Sequence, residues 1–98
     1  MQNNELDLPE NCTVNDDSSV TVTLQHPLPN LSKITMRRVK VRDTLAASKM
    51  KGSDAEKEIF LLSSLSMITP AEIEELDMSD YTVLQDVYRI FLSLPKPV

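Results

Sequence analysis

The chain has little of what small catalytic or disulfide-built proteins rely on. Its 98 residues include one glycine, one cysteine, one histidine and no tryptophan. A single glycine excludes a glycine-rich loop that cradles phosphate. One cysteine and one histidine cannot make a zinc set. Cys12 has no intrachain disulfide partner, which suits a reducing compartment. With four aromatic residues, the core must be built on Leu, Ile, Val and Met. No apolar run approaches the roughly 18 residues that cross a bilayer. The opening MQNNELDLPEN has neither a basic n-region nor an apolar h-region, so no signal peptide is expected, and the chain reads as cytoplasmic.

The residues that could carry chemistry have plainer roles. Cys12 sits in an acidic segment with no basic neighbour to lower its pKa. His26 precedes Pro27 in a turn. Glu72, Glu74, Glu75, Asp77 and Asp80 are dense carboxylates that helix capping and a solvated face account for. No catalytic, cofactor or metal site is expected, and the protein is not read as an enzyme.

Charge is distributed in blocks. Residues 1–18 carry five acids and no base, residues 33–51 are net +6, and residues 52–98 are net −6, within a total of −5. A basic middle between acidic ends suggests pairing within or between chains before it suggests nucleic acid. The run Arg37-Arg38-Val39-Lys40-Val41-Arg42 is nevertheless the one candidate for phosphate contacts, although no aromatic precedes Phe60 to stack on bases.

Taken in order, residues 1–18 lack periodicity and predict a flexible acidic tail. Val20, Val22 and Leu24 alternate with Thr21, Thr23 and Gln25, the period of a half-buried strand. The stretch His26–Asn30 predicts a break, and Ile34 and Met36 a second strand, giving an antiparallel hairpin over roughly 19–25 and 31–39. Ile34 and Met36 are out of phase with Val39 and Val41. Either a bulge at Arg37-Arg38 restores the buried face, or the strand ends there and Val41 begins a helix.

That first helix is predicted over 42–50, with Leu45, Ala46 and Met50 as its apolar stripe beside Val41 and Gly52 as a left-handed cap. Ser53-Asp54-Ala55-Glu56 is a capping box opening a central helix to about Met67. Thr69-Pro70-Ala71-Glu72 opens a short helix to Leu76, and Asp77 caps a last helix over about 78–93. The last helix places Tyr81, Leu84, Val87, Tyr88, Phe91 and Leu92 on one face. The fold class is α+β: an N-terminal antiparallel β-hairpin packed on three to four helices, in one domain over 19–94 with a short tail at 95–98.

Thr21-Val22-Thr23-Leu24, the segment Met36–Asp43, Asp54-Ala55-Glu56-Lys57-Glu58 and Leu76-Asp77-Met78-Ser79-Asp80 occur in a familiar order and spacing. The sequence resembles the tail assembly chaperones of long-tailed bacteriophages and Mu-like prophages over about residues 20–92. Val39 stands where that pattern often has proline, and Pro29-Asn30-Leu31 where it usually has a glycine-bearing turn. The resemblance implies a non-enzymatic protein of the host cytoplasm. Such a protein binds the tape measure protein, keeps it soluble, aids tail tube assembly and is absent from the finished virion. Alternatives are a nucleic-acid-binding regulator using Arg37–Arg42 and a permanent tail or baseplate subunit. The expected partner face joins Val83, Ile90 and Leu94, which fall off the buried stripe of the last helix, with Arg37, Arg38 and Arg42; self-association could use the same face.

Overall fold

The Val20–Leu24 alternation becomes the central strand of an antiparallel sheet. In the computed structural model, which describes residues 8–93, β1 (Cys12–Val14), β2 (Val20–Leu28) and β3 (Leu31–Met36) lie in the order β1-β2-β3. Four helices follow: α1 (Val41–Lys49), α2 (Asp54–Ser66), α3 (Pro70–Glu74) and α4 (Met78–Leu92). The α+β architecture read from the sequence is the architecture present, with one more strand. The inward face of the sheet, Val20, Val22, Leu24, Ile34 and Met36, is buried. It joins Leu62 and Leu65 of α2 and Leu84 and Val87 of α4 in one core. The outward face is largely threonine: Thr13 opposes Thr21, Thr21 opposes Thr35, and the last two share a 2.8 Å hydroxyl hydrogen bond.

Strand β1 corrects the expectation of a tail through residue 18. Asn15–Ser19 is a tight turn, closed by Asn15 N–H on the Ser19 carbonyl and by Ser18 N–H on the Asn15 carbonyl. Asp17 Oδ1 accepts from both the amide and the hydroxyl of Ser19. The Asn, Asp and Ser residues that resemble a disordered composition are turn formers here. The proposed start of the tail and the segment 95–98 lie outside the described residues.

The connection of the hairpin also differs from the sequence reading. Strand β2 continues through His26 and Pro27, and the turn is Pro29-Asn30. Regular pairing with β3 stops at Thr23 and resumes at Leu28. Pro27 therefore stands where the ladder asks it for no donor. Strand β3 ends at Met36, and Val41 begins α1, the second of the two alternatives above.

Helix α1 is rotated from its expected orientation. It buries Asp43 and Ala47, while Val41 and Leu45 are 85% and 53% exposed and Ala46 faces solvent. Gly52 does not cap α1, which ends in extended backbone at Met50. Gly52 has φ +135°, and a Cβ there would lie 2.8 Å from Glu56 Oε1. Its function is to leave room for the Glu56 carboxylate, which accepts from Ser53 N–H while Ser53 Oγ accepts from Glu56 N–H. Thr69 and Glu72 repeat this reciprocal cap at α3. Ser53→Ala and Thr69→Ala should each cost roughly 0.5–2 kcal/mol of stability in urea denaturation. Neutral behaviour of both would mean that the helices start elsewhere.

Candidate functional site

The basic run is partly consumed inside the fold. Arg37 makes a bidentate pair with Asp43, both contacts at 2.8 Å, and Asp43 Oδ2 also accepts from Lys40 N–H at 2.8 Å. The Arg37 hydrogen bonds, joined by the Lys40 amide, hold the Asp43 carboxyl at a pKa of about 2, well below the usual carboxylate range. Arg38 lies over the Phe91 ring, 5.3 Å from its centroid, and donates to the Phe91 carbonyl. Arg42 is exposed. Two of the three arginines expected at a partner face are thus tied to structural contacts, which also shortens the cationic surface open to phosphate.

The expected apolar members of that face that are described, Val83 and Ile90, are seven residues apart on α4 and share one side of it. Val83 is half-buried against the core, Ile90 is half-buried, and Leu94 lies outside the described residues. Leu92, placed on the buried stripe from the sequence, is 54% exposed. Cys12 is half-buried on β1, and burial, with Asp86 nearby, pushes its thiol pKa up, away from thiolate reactivity.

The concave surface is elsewhere, and the sequence reading missed it. Helices α1 and α4 flank α2 and leave an open, mainly apolar groove of about 280 Å³. Its α1 wall is Thr44, Ala47 and Ser48, its floor Lys57, Glu58 and Leu61, and its α4 wall Tyr88. The hydroxyls of Thr44 and Ser48 turn back onto the carbonyls of Val41 and Leu45, each at 2.8 Å. The α1 wall is therefore shallow, with its side-chain donors already used. By helical spacing Val41 lies one turn before Thr44, and Leu92 one turn after Tyr88, so the exposed apolar surface continues both walls.

A second hollow of about 210 Å³ lies among Ile59, Ile73, Glu74, Leu76, Met78 and Tyr81. Glu58 links the two. Its Oε1 accepts from Tyr81 OH at 2.6 Å and from Gln85 Nε2 at 2.8 Å. Burial, reinforced by the Glu58 hydrogen bond, raises the Tyr81 phenol pKa, so Tyr81 remains a donor. The signal available in the sequence was the spacing Tyr81, Gln85, Tyr88, Leu92, one α4 face directed at α2 and then at solvent. Among the described residues no cluster of three or more His, Cys, Asp or Glu side chains could hold a metal, and no helix is long and apolar enough to cross a membrane.

Residues 6–93 match a sequence-family model described as "Phage tail assembly chaperone proteins, E, or 41 or 14". No curated protein and no solved structure matches the chain.

Proposed function

The chain belongs to the phage tail assembly chaperone family, and from that premise we propose that it binds the tape measure protein and keeps it soluble in the host cytoplasm. On this reading it aids assembly of the tail tube and leaves before the virion is complete. The observation that carries the reading is the apolar groove between α1 and α4, with Val41 and Leu92 extending its walls. A long helical partner exposes apolar stripes until it is packed, and a groove between helices can hold such a stripe reversibly. Membership of an assembly chaperone family supports a non-enzymatic, binding role for that groove.

The test is co-expression with the tape measure protein and pull-down. Val41→Glu and Leu92→Glu place charge on residues already exposed, so both variants should fold. Each should reduce capture at least about 10-fold, as expected when a charge is buried unpaired in an apolar contact. Ile90→Glu and Val83→Glu probe the alternative face of α4 that the sequence reading favoured. Loss of capture at those positions alone would move the site there, undiminished capture by all four would place it on neither face, and no capture by the native chain would overturn the reading. Mass spectrometry of purified virions should find no copies of the chain; a stoichiometric amount would identify a permanent structural subunit instead.

A further inference from the structure

We propose that the groove selects a helix carrying a lysine or arginine set within its apolar face, and that Glu58 is the residue that recognises it. This inference rests on the tape measure reading and specifies which segments of that partner the groove takes.

Glu58 is a half-buried carboxylate in a groove otherwise lined mainly by apolar surface. Tyr81 and Gln85 both donate to its Oε1, which fixes the carboxylate in place. Its Oε2 has no hydrogen-bond partner among the described residues. The two ion pairs among those residues are Arg37–Asp43 and Arg89–Asp86, and neither involves Glu58. Lys57 lines the same groove without coming within ion-pair distance of it.

A helix with a wholly apolar face would strip water from Oε2 and give nothing back, a penalty that charged groups pay heavily. A helix with one cation among its apolar residues would restore the lost interaction as a charge-assisted hydrogen bond. The same carboxylate would repel a helix with an acid at that position, so the groove discriminates by penalty as well as by attraction. The shallow wall of Thr44, Ala47 and Ser48 allows the partner backbone close enough for a long basic side chain to reach Glu58. Because the hydroxyls on that wall are already bonded to Val41 and Leu45, they do not compete for the cation.

Overlapping synthetic peptides covering the helical segments of the tape measure protein, titrated against the full chain by fluorescence anisotropy, provide the probe. Peptides that bind should carry Lys or Arg within an apolar stripe. Changing that residue to Met should weaken binding at least about 10-fold, and Glu58→Gln should weaken the unchanged peptide equally. The amide oxygen of Gln can still accept from Tyr81 and Gln85, so the melting temperature should hold. Glu58→Gln should also erase the difference between the Lys and Met peptides, and Glu58→Lys should prefer a Glu peptide, which a merely structural role would not produce. Lys57→Gln should change affinity less than threefold. Tight binding that ignores both the peptide cation and Glu58 overturns this inference alone. Capture of the intact tape measure protein with no peptide bound also overturns this inference alone, and failure of the native chain to capture the intact protein overturns the tape measure reading with it.

Discussion

Asp80→Ala should be the most damaging single substitution outside the apolar core, lowering stability by about 3–5 kcal/mol. Asp80 is 1% exposed, and its two oxygens accept from the backbone N–H groups of Gln25 and His26, each at 2.9 Å. Those donors lie in the stretch of β2 where pairing with β3 lapses, so Asp80 takes the place of the missing strand. Removing it leaves two donors without acceptors beside the core. Against the roughly 5–15 kcal/mol that holds a domain of this size, the loss is a large fraction. A fall in Tm of at least about 12 °C is expected at neutral pH. Asp80→Asn should recover little, because its NH₂ would face one of the two N–H groups. A Tm unchanged by either substitution would mean that water replaces the carboxylate at no cost, and that the tie is not structural.

The second large effect is on acid stability. Asp43 has a folded-state pKa of about 2, against roughly 4 for an unperturbed aspartate. A depressed carboxyl pKa contributes stability that is fully present above the unfolded value and is lost as pH falls towards the folded one. The Arg37–Asp43 pair should therefore contribute roughly 2 kcal/mol above about pH 4, fading between about pH 4 and pH 2. The Glu56 and Asp77 carboxyls are also lowered, by Ser53 and by Ser79, and lose their hydrogen bonds in the same direction. Comparison of the native chain with Asp43→Asn isolates the pair. The variant should be less stable at pH 7 and equal to the native chain near pH 2. A difference independent of pH would assign the effect to packing instead.

The legible parts of the fold were those set by near neighbours in sequence. Ser53 with Glu56, and Thr69 with Pro70 and Glu72, are signals that span four residues each, and the helices start where they say. The Val20–Leu24 alternation likewise chose its face correctly. What misled the reading depended on partners far away or on a changed balance of forces. Helix α1 turned its leucine outward because a paired aspartate could be buried in its place, a trade that hydrophobic periodicity does not weigh. Strand β1 has three residues and borders a polar turn, too short for a pattern. Asp80 looked like a capping residue, and nothing local reveals that it reaches back across more than fifty residues. The groove was hidden for the same reason: its walls come from three helices, and Glu58 becomes notable only when Tyr81 and Gln85 are brought to it.

The Asp80 tie also bears on the order in which the molecule can be completed. Strands β2 and β3 leave the ribosome early, but until the helices follow, the donors of Gln25 and His26 face water, with the inner sheet face uncovered and the hairpin marginal by itself. They are satisfied only after α4 has been synthesised and docked, because the acceptor is 54 and 55 residues further on. Closure of the hairpin tip is consequently a late event coupled to the final helix, as expected of contacts with large sequence separation. In native-state hydrogen exchange these two amides, although next to a turn, should open only with the whole domain. A nascent chain halted before α4 would expose both an apolar sheet and an unfinished strand, the surfaces from which aggregation starts.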